Sequence, residues 1–469
     1  MLKVKKLFNF IIFILLILVI AFILYKTSEY NDIKNWSDKT KMTPVINDIF
    51  LHNEYSYNHK LAQKSLELAV SAFSNEDSLK MWGENTYCGR EVDVKDLLVS
   101  HGFSDIKFFD YNISLNDYSS KAAFAIGKTE YDKTCDLVAI VIRGGRYGLE
   151  WADNFNIGTS DINYHKGFYN AAYKIKKQLE ILLPDYSPKN RIKFWITGYS
   201  RGGAIANILA SMYDDSKNNY PCQVYAYTFA SPKTAIIKNT HCHDTIYRNI
   251  FNILSPNDPV YNIPPSKWDF GRFGICVVFP DNNRNKNNDD EKILDLVYED
   301  YRQKTGKTPI TQGTSVNSIV NLIVKSSDSR NFFAKNLSEP IGNLIIVKMT
   351  RTKTEYGYWE KSSEEKTLKK MFGEEIINDI NKIKNNYLFN SLKKIGIKLP
   401  DDFYIFISLC RANGFTGYEN LIFEKLDLNE LSNLSQIASS DFIYVGHTTD
   451  FYFSWLKNVP ITKLEFIKD

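Results

Sequence analysis

A serine flanked by glycines is the first element of this sequence that could do chemistry. Ser200 lies in the pattern Gly-Tyr-Ser-Arg-Gly, with Gly198 and Gly202 at its ends. The pattern alone is weak, but a buried strand is predicted before it at 192–197 and a helix after it from about Ala204. A strand, a tight turn and a helix form a nucleophile elbow, which exposes the serine hydroxyl at the edge of a sheet. The alternative is a glycine-rich turn with a capping serine.

A serine nucleophile needs a base to take its proton and a carboxylate to orient that base. Asp258 follows a predicted strand at 250–254, in a loop that Pro259 stiffens. The alternative for this segment is a plain Asn-Asp-Pro turn. Of the seven histidines, only His447 follows the last strand-like run, 442–445. The chain order serine, acid, histidine therefore selects His447 as the base.

An acyl-transfer site also needs two backbone N–H groups for the oxyanion. One donor is expected to be the amide of Arg201, the residue after the nucleophile. The second should come from the loop after an earlier strand, and Gly144-Gly145 follows the predicted strand 137–142. A plain β-turn is the alternative for these glycines.

Other chemistries have weaker support. His241-Cys242-His243-Asp244 could bind a metal, but alternate residues of a strand point to opposite faces, so we expect no metal site there. The sequence has no complete phosphate-binding loop, and no cofactor is expected. A net charge of +4 is too small to indicate a nucleic-acid partner.

The elements that must position these residues alternate between strand and helix. The chain has 469 residues, of which 44% are hydrophobic and 24% are charged, so a folded core is expected. Short apolar runs predict strands at 122–126, 137–142, 192–197, 224–229 and 250–254, and helical spacing predicts helices at 55–73, 165–182 and 204–213. This alternation predicts an α/β fold with a mostly parallel sheet covered by helices.

The first thirty residues form a segment of their own. An apolar run at 7–25 follows three lysines and is long enough to span a bilayer. We expect segment 1–30 to be an uncleaved single-pass membrane anchor, with a cleaved secretory signal as the alternative. Both interpretations place the catalytic region outside the cytoplasm, at the cell membrane or secreted.

The remainder divides into three predicted parts. Residues 31–280 should form the catalytic core, 281–438 a mostly helical insertion or cap, and 439–469 a return to the core that carries His447, with strand-like character at 441–455. The six cysteines could form disulfides in fifteen pairings or remain buried thiols, and the sequence does not choose between these states.

Several segments in the right order resemble the class 3 lipases, an α/β-hydrolase family, and in particular a bacterial-type, membrane-anchored member. The similar segments are 138–144, 164–168, 196–204, 225–232, 252–260 and 447–452. The resemblance implies that Ser200 is the nucleophile, Asp258 the acid and His447 the base. It also implies that His165 is a family histidine outside this triad. The stretch 146–155 sits where some members carry a lid, and Trp151 matches an aromatic residue there.

Two departures from the family pattern affect the site. Tyr199 stands where a histidine is commoner, and Gly145 replaces a serine or threonine, which keeps the N–H but removes a hydroxyl. The resemblance implies a serine hydrolase of lipid acyl esters, similar to a triacylglycerol lipase. A phospholipase and a short-chain or sugar esterase remain alternatives on the same fold, and an inactive, surface-tethered binding module is an alternative of another class. The oligomeric state stays open.

Overall fold

The computed structural model describes residues 49–73, 94–110, 122–145, 148–159, 161–183, 191–215, 222–256, 258–264, 268–280, 288–306, 329–336, 338–349, 351–353, 359–361, 363–394, 401–414 and 447–469. The predicted membrane segment 1–30 and the strand-like run 442–445 lie outside these residues. Among the helices that the structure describes, none combines the length and the apolar character needed to cross a membrane.

The described strands and helices follow the chain in a strand–helix alternation. The strands are β1 (Asp105–Phe109), β2 (Phe124–Asp132), β3 (Cys135–Ile142), β4 (Arg191–Tyr199), β5 (Cys222–Phe229), β6 (Ala235–Ile236), β7 (Ile250–Leu254), β8 (Phe270–Gly271), β9 (Ile275–Val278), β10 (Arg351–Lys353), β11 (Trp359–Lys361) and β12 (Glu465–Ile467). The α-helices are α1 (His59–Ser71), α2 (Val94–Ser100), α3 (Gly148–Asp153), α4 (Lys166–Leu182), α5 (Arg201–Asp214), α6 (Ile237–Thr240), α7 (Asn288–Thr305), α8 (Ser329–Asn336), α9 (Ser338–Met349), α10 (Glu364–Phe372), α11 (Glu375–Lys384), α12 (Tyr387–Lys394), α13 (Asp401–Ala412) and α14 (Thr449–Asn458).

The central feature is an eight-stranded sheet in the order β1-β2-β3-β4-β5-β7-β9-β12. Strands β3, β4, β5, β7 and β9 run parallel. Strands β1 and β2 at one edge and β12 at the other are antiparallel to their neighbours. This mostly parallel sheet, with a strand–turn–helix at its centre, is an α/β-hydrolase fold, and it confirms the predicted fold class.

Helices cover both faces because the central strands are apolar on both sides. On one face, Trp195 of β4 belongs to a core built with α1, α2, α7 and α14. Its indole N–H donates to Ser65 Oγ of α1 at 2.7 Å. On the other face, Phe194 and Ile196 pack with apolar residues of α4 and α5. The sheet is therefore held rigidly from both sides, and its carboxyl ends form a fixed platform.

The predicted helix at 55–73 is observed as α1, and Asn58 caps it by accepting a hydrogen bond from Leu61 N at 3.1 Å. The strand-like character predicted for 441–455 is wrong from residue 449 onward, where the chain forms α14. The aromatic residues of α14 favour strands by propensity. However, all residues from Thr449 to Leu456 are buried, and such a fully enclosed helix shows no polar face in its sequence.

Part of the predicted insertion 281–438 is built into the core. Helix α7 packs against α14, and Asp300 accepts hydrogen bonds from Ser454 Oγ at 2.7 Å and Lys457 Nζ at 2.6 Å. Helices α8 to α13 follow, so the described part of the insertion is mostly helical, as predicted. The domain boundaries themselves stay a prediction.

The described cysteines are buried thiols. They are Cys135, Cys222, Cys242, Cys276 and Cys410. Of the two states considered from the sequence, these five therefore adopt the buried thiol.

Candidate active site

The turn between β4 and α5 holds Ser200 in an unusual backbone conformation. Its φ of 55° and ψ of −124° are costly for a residue with a side chain. Two glycines make the turn possible. A Cβ on Gly198 would lie 2.3 Å from the carbonyl oxygen of Gly202, and a Cβ on Gly202 would lie 2.3 Å from that of Ile142. The backbone of the elbow therefore touches the end of β3 directly.

Asp258 lies at the carboxyl end of β7, where it caps the short 3-10 helix Pro259–Asn262. Its side chain is fully buried. Oδ1 accepts a hydrogen bond from Val260 N, and Oδ2 accepts one from the Tyr452 hydroxyl, both at 2.8 Å. These donors fix the carboxylate and offset the cost of burying its charge.

His447 lies between the other two residues. Its Nδ1 is 2.9 Å and 2.8 Å from the two carboxylate oxygens of Asp258, and its Nε2 is 3.0 Å from Ser200 Oγ. The carboxylate can only accept, so Nδ1 carries the proton and Nε2 is left to accept from the serine hydroxyl. The structure thus brings together the three residues that the sequence selected, in the geometry of a nucleophile, a base and an orienting acid.

Two buried tyrosines hold this arrangement and were missed as site residues. The Tyr199 hydroxyl donates to the His447 carbonyl at 2.9 Å, which fixes the loop before α14. The Tyr452 hydroxyl accepts from Ser255 N at 3.1 Å while it donates to Asp258. Burial, with the nearby charge of Asp258, raises the pKa of both phenols well above the usual value, so both stay protonated as donors. The departure at Tyr199 was visible in the sequence, but its partner was not.

The two segments expected to hold an oxyanion lie side by side. Ile142 of β3 is the register partner of Gly198 of β4, so the residues that follow each strand emerge at the same edge of the sheet. A Cβ on Gly144 would lie 2.9 Å from the Tyr199 carbonyl oxygen. Gly144 is buried and Gly145 is partly exposed. The amide of Arg201 begins α5, where the helix dipole favours negative charge.

The side chain of Arg201 has contacts that the sequence did not suggest. It is buried, and its guanidinium donates to Asp153 Oδ2 at 3.1 Å and to Asn154 Oδ1 at 3.0 Å. A second buried arginine, Arg143, pairs with Glu150 at 3.3 Å. Both pairs tie the short helix α3 to the sheet edge beside Ser200.

The predicted lid, 146–155, contains α3, and Trp151 lies in that helix. The side chain of Trp151 and residues 146–147 are outside the described parts. Helix α9 of the insertion covers α3, and a Cβ on Gly342 would lie 3.2 Å from Ala152 Cβ. The Ser338 hydroxyl also donates to the Phe155 carbonyl at 2.8 Å.

His165 is not part of the Ser200 constellation, as the resemblance implied. It is the N-cap of α4, stacks on Phe168 and contacts the Asn154 carbonyl through Nε2 at 3.0 Å. Burial lowers its pKa to about 3, so it is neutral at physiological pH. In the other candidate cluster, Cys242 is buried and His241 is exposed. Across the described residues, no three His, Cys, Asp or Glu side chains form a group that could hold a metal.

Part of the chain matches the model of a known protein family. Residues 139–268 match the family model for lipase (class 3). The similarity to class 3 lipases is thus shown for this segment. The segment covers the second half of β3, then β4 and the elbow, β5, β7 and the loop of Asp258, while His447 lies beyond it. The class 3 lipase resemblance predicted from the sequence is therefore confirmed for the central part of the sheet.

The similarity to individual proteins is distant. The secreted mono- and diacylglycerol lipase 1 of Fusarium solani is 26% identical over 138 residues, which is 27% of this chain and 39% of that protein. The chain thus spans about two-fifths of the curated relative that it matches. The structure of mono- and diacylglycerol lipase from Aspergillus oryzae aligns at 17% identity and a TM-score of 0.34, over 50% of this chain and 84% of that chain. The Rhizomucor miehei lipase propeptide complex aligns at 15% identity and a TM-score of 0.32, over 60% of this chain and 79% of that chain.

Proposed function

We propose that this chain is a serine hydrolase that cleaves carboxylic esters of lipids through an acyl-enzyme. The observation that carries the proposal is the unbroken hydrogen-bonded series from Asp258 through His447 to Ser200, at the start of a helix and beside a glycine loop. The class 3 lipase segment that contains Ser200 and Asp258 supports it.

In the first half of the reaction, Ser200 Oγ bonds to the acyl carbon as its proton moves to His447 Nε2. The carbonyl electrons move to oxygen, and the amides of Arg201 and Gly145 stabilise the resulting oxyanion. The carbon–oxygen bond of the ester then breaks, and His447 returns the proton to the leaving alcohol. Asp258 keeps its charge and stabilises the imidazolium that forms in between.

In the second half, water replaces the alcohol. His447 takes a proton from the water as its oxygen bonds to the acyl carbon, and the same two amides hold the second oxyanion. The bond to Ser200 breaks, the carboxylic acid leaves, and the proton on His447 restores the serine hydroxyl. No step requires a metal or an organic cofactor.

A lipid substrate is the preferred assignment for two reasons. The family segment is that of lipases, and the Fusarium solani relative is named for mono- and diacylglycerols. The lysine-flanked apolar run at 7–25 would also keep the protein at a membrane, where such substrates lie. We propose that this segment anchors the chain with its catalytic region outside the cytoplasm. Secretion after cleavage is the second possibility, because the Fusarium solani relative is itself named as secreted.

The test compares the full chain with its Ser200→Ala variant. Both are assayed on aryl esters of increasing acyl length, with emulsified triacylglycerol and phospholipid alongside. We expect the wild type to hydrolyse esters with longer acyl chains faster, and we expect turnover to vanish in Ser200→Ala. The control is Ser100→Ala, which changes a serine of helix α2 outside the site and should retain the wild-type rate. A preference for the shortest esters would favour an esterase, and a preference for phospholipid a phospholipase. Equal background rates in the wild type and Ser200→Ala would refute the hydrolase and favour a binding module.

A further inference from the structure

Two buried ion pairs join one short helix to both backbone segments of the proposed oxyanion hole. Glu150 of α3 pairs with Arg143, which directly precedes Gly144 and Gly145. Asp153, at the end of the same helix, pairs with Arg201, whose own amide is the other donor. The four side chains of these pairs are between 0% and 12% exposed, so solvent screens them little.

The segment after α3 is also held by contacts with neighbouring elements. Asn154 uses its side chain to accept from Arg201 and its carbonyl to contact His165 Nε2. A Cβ on Gly167 would lie 2.1 Å from the Asp153 carbonyl oxygen, so α4 is packed directly against this turn. Helix α9 then covers the outer side of α3 at Ala152. Helix α3 is therefore enclosed between the sheet edge, α4 and the insertion.

From this arrangement we infer that α3 is a fixed brace for the oxyanion hole, and that Glu150 and Asp153 are positioning residues that act through Arg143 and Arg201. The inference rests on the proposed function, and it replaces the mobile lid expected for 146–155. An oxyanion donor contributes only when it points at the place where charge develops. Two arginines held by one rigid helix keep the two donor segments at a constant separation.

A lid and a brace predict opposite changes in rate when the ion pairs are broken. If α3 were a lid that the two ion pairs hold shut, Glu150→Gln and Asp153→Asn would open it and raise the rate on small soluble esters. For a brace, the same changes release the arginines and misalign the donors. A displacement of about 1 Å can cost roughly 100-fold in rate.

The experiment measures kcat and KM on a soluble short-chain aryl ester with the full chain, well below the melting temperature of every variant. We expect Glu150→Gln and Asp153→Asn each to lower kcat by about 10- to 100-fold, with KM changed by less than about threefold, because the contact acts on the transition state. Asp214→Asn is the matched control, since Asp214 is also buried but ends α5, about 20 Å from Arg201. Its kcat should remain within about twofold of the wild type.

A double variant can test whether kcat is recovered when the carboxylate is restored on Arg201. Asp153 and Asn154 contact the same guanidinium, so the exchange Asp153→Asn with Asn154→Asp keeps one carboxylate and one amide on Arg201. We expect this double variant to recover kcat to within about fivefold of the wild type, which a general loss of stability would not allow.

The kinetics of the two variants distinguish a brace from a lid and from a merely structural role of the ion pairs. A rate increase in Glu150→Gln or Asp153→Asn would establish the lid and overturn the brace. An unchanged kcat with a lower melting temperature would make the pairs merely structural and would also overturn it. Both outcomes leave the hydrolase intact, whereas wild-type turnover that does not depend on Ser200 would remove the proposed function and the inference with it.

Discussion

The Tyr452 hydroxyl makes two hydrogen bonds in the buried part of the site, and its removal gives a sharp test of how Asp258 is held. In Tyr452→Phe the ring remains, with its edge contacts to Tyr199 and Phe279 at centroid distances of 5.5 Å and 5.8 Å. Little cavity forms, so the change isolates the hydroxyl. The lost contacts are the bond to Asp258 Oδ2 at 2.8 Å and the bond from Ser255 N at 3.1 Å.

The expected loss of stability follows from these two bonds. A hydrogen bond to a charged group contributes about 1.5–3 kcal/mol, and a neutral one about 1 kcal/mol. We therefore expect the free energy of unfolding to fall by roughly 3 kcal/mol. The effect on catalysis should be smaller, because Asp258 keeps Val260 N and His447 Nδ1 as donors. We expect kcat to fall by about tenfold or less, since the orienting contact to the base remains.

The assay combines urea unfolding with steady-state kinetics on a soluble ester. Tyr247→Phe is the control, since its hydroxyl also donates to a carboxylate, that of Asp215, at 2.6 Å. Asp215 caps the C-terminal end of α5, whereas Ser200 lies at the N-terminal end of that helix. That variant should lose stability but keep its kcat. A Tyr452→Phe protein as stable as the wild type would refute the role of this hydroxyl in holding Asp258. A loss of kcat beyond about 1,000-fold would show that the remaining two donors cannot orient the acid.

Three further predictions test other parts of the structure. Gly202→Ala should lower the free energy of unfolding by about 3 kcal/mol or more in urea titrations, because its Cβ would lie 2.3 Å from the Ile142 carbonyl oxygen. A variant as stable as the wild type would contradict this close approach. Asp258→Asn should lower kcat by about 1,000- to 10,000-fold with little change in the circular dichroism spectrum, because a neutral amide cannot stabilise the imidazolium of His447 and its NH2 group favours the wrong tautomer of the imidazole. A loss below about tenfold would contradict the role of Asp258. His101 is buried and has no hydrogen-bond partner among the described residues, and burial, followed by the charge of Lys64, lowers its pKa to about 4. Between about pH 6.5 and pH 4 the unfolded chain binds a proton that the native His101 does not, so the free energy of unfolding falls with the pH, by about 2 kcal/mol at pH 5. His101→Leu should remove this part of the pH dependence in unfolding titrations at pH 8 and pH 5. The same pH dependence in His101→Leu as in the wild type would contradict the prediction.

The sequence predicted those parts of the site that depend on local pattern. Ser200 was found because its glycines, the strand before it and the helix after it are contiguous, and the backbone contacts at Gly198 and Gly202 explain why that pattern is required. Asp258 and His447 were found from chain order. The structure places His447 beside Asp258, which is 189 residues earlier in the chain, and beside Ser200, which is 247 residues earlier. Their catalytic roles stay a prediction until variants are measured.

The parts that were missed depend on contacts between distant segments. Nothing near Arg201 in the sequence indicates Asp153, and nothing near Arg143 indicates that one helix would serve both arginines. Helix α14 was missed for a different reason. Its aromatic residues are typical of strands, but the helix lies between α1 and α7 and is buried on every side, so no amphipathic period marks it.

We propose that Ser200 is a nucleophile activated through His447 by Asp258. The most direct measurement is the labelling of the full chain by a fluorophosphonate probe, with the modified residue identified by mass spectrometry of the peptides. We expect a single adduct at Ser200 Oγ, absent in Ser200→Ala and formed at least about 100-fold more slowly in Asp258→Asn. An unlabelled Ser200, or labelling that is equally fast in Asp258→Asn, would contradict it.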